Sequence, residues 1–220
     1  MQAMQHQELI VSWAYTLVEA TANLAFALSG LLAGIRKRLD VVGLSVVAGL
    51  AAFGGGTLRD VLLDRRPFFW VEHPIWLWLL IALGIAAIFF LRSRDFEFTE
   101  RAIQWPDAVG LGLFAASGTQ LALAQNMPAI VAVLMGVVTA TFGGILRDVV
   151  CNDIPTALRD RRPYAVCAFI GGWVYVLAAH LQLAPGLALL LAAITATGLR
   201  SAALLIGYEL PAGRIARSED

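Results

Sequence analysis

The segment Phe53-Gly54-Gly55-Gly56-Thr57-Leu58-Arg59-Asp60-Val61 returns further along the chain as Phe142-Gly143-Gly144-Ile145-Leu146-Arg147-Asp148-Val149, with the two Arg-Asp pairs 88 residues apart. Ser29-Gly30 recurs at the same offset as Ser117-Gly118, and Phe26 recurs as Phe114. Asp64-Arg65-Arg66-Pro67 recurs as Asp160-Arg161-Arg162-Pro163 at an offset of 96, so the second copy carries eight extra residues. Apolar composition alone does not reproduce charged pairs, double glycines and Arg-Arg-Pro in one order. The chain therefore has to place two equivalent polar sites inside one apolar body. In a membrane, glycine-interrupted helices at matching positions of two halves are the best sequence pointer to an ion or substrate site.

Hydrophobic residues fill 59% of the 220 positions and charged residues only 15%, against about 25% charged in a soluble domain. With a mean hydropathy of +0.74, the chain has too little polar surface for water. Its formal net charge of zero gives no general basic excess for nucleic acid. Cys151 and Cys167 have neither disulfide-framework nor zinc spacing and read as reduced, apolar side chains. His6, His73 and His180 are scattered near the ends of apolar segments, which suits no metal site. No nucleophile–base arrangement or phosphate loop is present. Neither an enzyme nor a resident cofactor is expected.

Seven segments are long and apolar enough to approach the ~20 residues a membrane helix needs: roughly 10–35, 41–63, 75–91, 103–125, 129–151, 164–181 and 185–207. This predicts an all-α integral membrane protein. Met1 to Glu8 holds no Lys or Arg, so it lacks the basic region of a cleavable signal and the first segment is expected to stay as a span. The connections after spans one, three and five and the tail carry Arg36, Lys37, Arg38, Arg92, Arg94, Arg101, Arg159, Arg161, Arg162, Arg214 and Arg217. The other side carries only Arg65 and Arg66. This bias puts the C-terminus in the cytoplasm and the N-terminus outside, in a plasma (bacterial inner) membrane. Three spans per copy make the second copy inverted. The units are then 1–95, 96–181, and a seventh helix with its tail at 182–220.

Gly54, Gly55 and Gly56 in span two and Gly143 and Gly144 in span five are expected to break their helices, with the Arg-Asp pair opening the second half. A break in lipid must face protein or water; close helix packing is the competing use of the same glycines. Arg59 and Arg147 are costly at membrane depth and should face the bundle interior. Asp60 and Asp148 follow them directly and, on a helix, do not face the same arginine. Partners are therefore sought on other spans: Glu19 for Arg59 and Asp107 for Arg147, two acids that are themselves 88 residues apart. Asp107 also reads as an interfacial residue at a helix start after Pro106. Ser29 and Ser117 line the path or make small-residue contacts, with Asn23 and Thr119 as lesser polar lining. Arg200 reads as a snorkelling residue near a membrane face.

At these residues the chain resembles the prokaryotic branch of the trimeric intracellular cation (TRIC) channels, a pattern shared with small bacterial membrane proteins described as glycine transporters. The resemblance runs over about residues 12–180, through Phe-Ala-x-Ser-Gly, Asp-x-x-Gly, Gly-Gly-x-x-Arg-Asp and Arg-Arg-Pro-Tyr. It implies a homotrimer among membrane lipids, with a bound lipid allowed, in which each subunit conducts monovalent cations (K⁺, also Na⁺) past kinks at Gly54–Gly56 and Gly143–Gly144. The lysine motif of the animal members is missing, so their phosphoinositide site is not carried over. An arginine left unpaired at the constriction would oppose cations, and would instead gate the path or favour an anionic or zwitterionic substrate. A secondary transporter of a small zwitterion such as glycine is thus the other function that the two repeats allow.

Overall fold

A computed structural model describes residues 2–91, 99–159 and 161–209. The basic residues Arg92, Arg94, Arg214 and Arg217 and the repeat residue Asp160 lie outside the described residues. In chain order the helices are α1 (Gln2–Arg36), α2 (Val41–Leu62), α3 (Phe69–Glu72), α4 (Ile75–Leu91), α5 (Glu100–Ala124), α6 (Ala129–Val150), α7 (Thr156–Arg159), α8 (Ala165–His180) and α9 (Pro185–Ile206). The seven longer ones stand where the apolar segments predict helices. By length and composition alone, the described part of α1 from Tyr15 and the whole of α2, α6 and α9 can cross a membrane, and the apolar parts of α4 and α8 are shorter.

Local chemistry sets the boundaries. Ala3, Met4, Gln7 and Glu8 are good helix formers with no breaker among them, so α1 begins eight residues before the apolar segment does. Asp40 caps α2 by accepting from the Gly43 amide at 2.8 Å. Pro185 occupies the first turn of α9, and Gly207, at φ 70°, closes it in the left-handed conformation. Pro106 sits inside α5 and Asp107 is 4% exposed, so Asp107 is a buried helix-interior residue and no helix-start residue. The one-turn helices α3 and α7 are too short to show in the apolar pattern. The second of them falls within the eight residues that the second copy adds.

α1, α2 and α4 of the first copy correspond to α5, α6 and α8 of the second. α1 packs on α2 and α5, and α6 packs on α2 and α5. Phe26 and Phe114 stack on each other with ring centroids 5.5 Å apart and planes 20° from parallel. Two residues one repeat apart that touch each other mark the local axis relating the copies. α9 lies outside the repeat and packs on α5 and α8. As a result α8 is enclosed by α5, α6 and α9, whereas α4 rests mainly on α2.

α2 and α6 run as unbroken helices through Gly54–Gly56 and Gly143–Gly144, which corrects the expected discontinuity. Gly55 and Gly143 are consumed by close approach. A Cβ on Gly55 would lie 2.0 Å from the Thr139 carbonyl oxygen, and one on Gly143 would lie 2.2 Å from the Ala51 oxygen. Ala51 and Thr139 are themselves one repeat apart, so the two helices cross backbone against backbone in a symmetric contact. In lipid, where apolar side chains gain nothing from leaving water, such small-residue contact is what holds helices together.

Overpacking at this crossing should be costly. Gly55→Ala or Gly143→Ala is expected to lower stability by about 1–3 kcal/mol, read as a lower unfolding temperature in detergent. Gly198→Ala, where nothing lies within 4 Å of the new atom, should be neutral or better. Equal effects at the two kinds of site would contradict the close-contact account.

Candidate functional site

Next to the crossing of α2 and α6 lie two buried arginines. Arg59 is 0% exposed and Arg147 3%. Nη1 of Arg59 donates to Glu19 Oε1 on α1, and Nη1 of Arg147 donates to Asp107 Oδ1 on α5. The partners expected from the shared 88-residue spacing are thus in contact in both copies.

The adjacent aspartates are also partners, which corrects the expectation that they face away. Arg59 Nε donates to Asp60 Oδ1 at 2.8 Å, and Arg147 Nε donates to Asp148 Oδ1 at 2.8 Å. The helical-neighbour rule describes where Cβ atoms project. An arginine's long stem curls around the helix and brings Nε level with the next residue, while the outer nitrogen still reaches α1 or α5. Each arginine is therefore held against two carboxylates; around Arg147 the formal charge is −1, and around Arg59 the second cation, Arg65 at 3.6 Å from Asp60, brings it to zero. Two hydrogen bonds to charged acceptors satisfy much of the cation's demand, as burial requires.

The serines join the two copies. Ser117 Oγ, from the second copy, donates to Glu19 Oε1 of the first at 3.2 Å. Ser29, from the first copy, accepts from Arg147 Nη1 of the second and donates to the Ile103 carbonyl at 3.1 Å. Both serines are wholly buried. Thr119 turns its hydroxyl back to the Ala115 carbonyl at 2.8 Å, so it serves its own helix. Asn23 is 3% exposed and lines a small void beside Glu19.

Around these matched cores the surroundings differ. Beside Glu19, Asn23 and Asp60, and lined also by Phe69 and Trp70 of α3, the void measures about 10 Å³, the space of a single water. Beside Asp107, Arg147 and Asp148 a cavity of about 380 Å³ reaches the bundle end that bears Arg36, Lys37, Arg159, Arg161 and Arg162. Two acids, Asp153 and Glu209, complete its charged lining. Lys37 pairs with Asp153 at 2.7 Å. α7 is tied to the site through the Thr156 amide, which donates to Asp148 Oδ2 at 2.7 Å. At the opposite end Arg65 lies 3.6 Å from Asp60 Oδ1 and donates to Tyr15 Oη at 3.4 Å.

Two residues missed in the sequence complete the cavity-side site. Tyr164 Oη donates to Asp107 Oδ2 at 2.7 Å. Arg200 is 1% exposed and donates from Nη1 to the Arg162 and Pro163 carbonyls at 3.3 and 3.1 Å. Its guanidinium carbon lies 4.9 Å from the centre of the Tyr164 ring. Its charged end is thus buried against two carbonyls and a ring face, where the sequence suggested a side chain reaching for a membrane face. The aromatic residue of Arg-Arg-Pro-Tyr was the available signal for Tyr164. Arg200 has no repeat partner and gave none.

Two repeat-related three-helix units, each with a buried charge pair, make up the helical core. A family model described as glycine transporter matches the chain twice, at residues 16–92 and 104–180, two equal windows 88 residues apart. The chain belongs to this family, whose pattern the prokaryotic TRIC channels share. A UPF0126 membrane protein of Vibrio cholerae is 33% identical over 195 residues, covering 89% of this chain and 81% of that one. The UPF0126 inner membrane protein YadS of Escherichia coli K12 is 35% identical over 174 residues, covering 77% and 79%. Among solved structures, the TRIC trimeric intracellular cation channel orthologue of Rhodobacter sphaeroides superimposes with a TM-score of 0.81 at 34% identity, over 88% of this chain and 98% of that one. A structure solved to explain conductance through TRIC cation channels gives 0.79 at 30% identity, over 92% and 98%. The chain is an integral membrane protein of the TRIC fold.

Removing one carboxylate leaves a buried cation short of a partner, at about 3–5 kcal/mol where water is excluded. Glu19→Gln, beside a void of about 10 Å³, should show that full loss. Asp107→Asn, whose site opens to a cavity of about 380 Å³, should lose less. Unfolding of the two variants in detergent, compared side by side, checks the order, and a larger loss at Asp107 would contradict it.

Proposed function

We propose that the protein is a passive channel for monovalent cations, K⁺ and also Na⁺, with a separate path in each subunit of a homotrimer. The observation that carries this is the charge at the crossing of α2 and α6. Each buried arginine is bracketed by two carboxylates, which offset the charge by which an arginine alone would repel cations and leave a formal negative excess at the Arg147 site. The path runs from the 380 Å³ cavity, past Asp107, Arg147 and Asp148, to the Glu19, Arg59 and Asp60 site. Ser29 and Ser117 stand between the two sites. Bending of α2 and α6 about Gly54–Gly56 and Gly143–Gly144 is the motion that opens it.

The TRIC channels that superimpose on this chain support both the cation and the trimer. The seven longer helices act as seven spans in a bacterial inner membrane. The cavity end, which gathers Arg36, Lys37, Arg159, Arg161 and Arg162, faces the cytoplasm by the positive-inside rule, and the N-terminus lies outside.

A second function has its own observation. One site adjoins a cavity of about 380 Å³ and its repeat-related twin only a void of about 10 Å³, an asymmetry of the kind a carrier alternates between its two faces. Together with the family description, this favours a secondary transporter of a small zwitterion such as glycine.

Reconstitution into planar bilayers separates them. Unitary K⁺ currents are expected, with Arg147→Ala changing open probability or selectivity more than it changes folding. Silent bilayers together with saturable glycine uptake into liposomes would establish the carrier instead.

A further inference from the structure

Tyr164 and Arg200 belong to no repeat-related pair of contacts. The position equivalent to Tyr164 in the first copy is Phe68, which has no hydroxyl to offer Glu19. The cation over Phe68 is Arg66, an exposed residue of the same loop, at 4.3 Å. The cation over Tyr164 comes from α9, the helix outside the repeat, and is buried. The second copy thus has a chain that runs from α9 to its α5 acid, whereas in the first copy the arginine–tyrosine contact, Arg65 on Tyr15, leads to Asp60. Arg200 grips the Arg162 and Pro163 carbonyls and the face of Tyr164. Tyr164 then binds Asp107 Oδ2, and Asp107 Oδ1 binds Arg147.

A carboxylate with one oxygen on a phenol and the other on a guanidinium is fixed in both position and rotation. Losing the phenol leaves it free to swing away from Arg147 toward the water of the cavity. Arg200 does not touch the path, so it acts through Tyr164. Its planar guanidinium stacks and donates at once, which a lysine ammonium does not reproduce.

We propose that Arg200 and Tyr164 form a latch by which the seventh helix holds the Asp107–Arg147 pair closed, making the cavity-side constriction the regulated one of the two. This rests on the channel function proposed above and adds to it the residues that position its inner constriction.

The test uses Tyr164→Phe, Arg200→Met, Arg200→Lys and the double variant Tyr164→Phe/Arg200→Met in the full-length protein. Two readouts are taken. One is open probability in planar bilayers with symmetric KCl. The other is the rate at which a water-soluble maleimide modifies Ser29→Cys, made in a Cys151→Ala/Cys167→Ala background, since Ser29 is buried behind Arg147.

Each single change should shift both readouts about tenfold, the population change that follows from losing one hydrogen bond to a charged group. The double variant should match the more affected single variant, because the two residues act in series. Arg200→Lys should fall between wild type and Arg200→Met. Tyr164→Phe keeps the ring, so its unfolding temperature should stay near that of wild type, and a role in folding alone would not move the gating readouts. Unchanged open probability and unchanged labelling in Tyr164→Phe and Arg200→Met would overturn the latch, as would fully additive effects in the double variant. If the wild type carries no current, the channel function fails, and the labelling rates still decide whether the latch exists.

Discussion

A guanidinium at membrane depth is tolerated only if its counter-charges travel with it, and the fold follows from meeting that demand twice. Exposure of one such charge to hydrocarbon costs more than any single packing contact returns. The chain meets the cost with two carboxylates per arginine, one from the residue next in sequence and one from a different helix. The second of these bonds is what ties α1 to α2 and α5 to α6 at a defined depth. Both carboxylates stay hydrogen-bonded to their arginine, and the Arg147 site keeps a formal negative excess.

The two sites are joined rather than merely duplicated. Ser117 serves the pair made by Glu19 and Arg59, and Ser29 serves the pair made by Asp107 and Arg147, so neither site is complete within its own repeat. The backbone contact of Gly55 with Thr139 and of Gly143 with Ala51 fixes the distance over which this exchange works. Symmetry then ends at the periphery. α3 places Phe69 and Trp70 beside one site's water-sized void, while the extra residues that form α7 attach to Asp148 at the rim of the 380 Å³ cavity. The seventh helix adds Arg200 on that side only. A nearly symmetric core with unlike surroundings provides one closed constriction and one that can be acted upon.

Much of this was legible because the duplication keeps offsets. Two acids 88 residues apart, matched to two arginines with the same spacing, pointed to Glu19–Arg59 and Asp107–Arg147 without any geometry. Long apolar runs marked the seven helices, although α1 starts earlier because good helix formers precede its apolar part. The glycines were ambiguous, since a break and a close crossing ask for the same residue. Only the position of the Thr139 and Ala51 carbonyls separates the two. The Arg59–Asp60 and Arg147–Asp148 contacts were hidden because rules for helix neighbours concern Cβ directions and not the reach of a long side chain. Arg200 was hidden because it belongs to no repeat, so its depth had nothing to be compared with.

The reversal potential under a KCl gradient tests most directly whether paired arginines make this a cation path. Wild type should reverse close to the potassium equilibrium potential, because the cavity-side Arg147 is over-neutralised by Asp107 and Asp148. Asp107→Asn should shift reversal toward the chloride potential, because Arg147 then keeps only Asp148. A wild-type channel reversing near the chloride potential, or an Asp107→Asn channel with unchanged selectivity, would contradict the account.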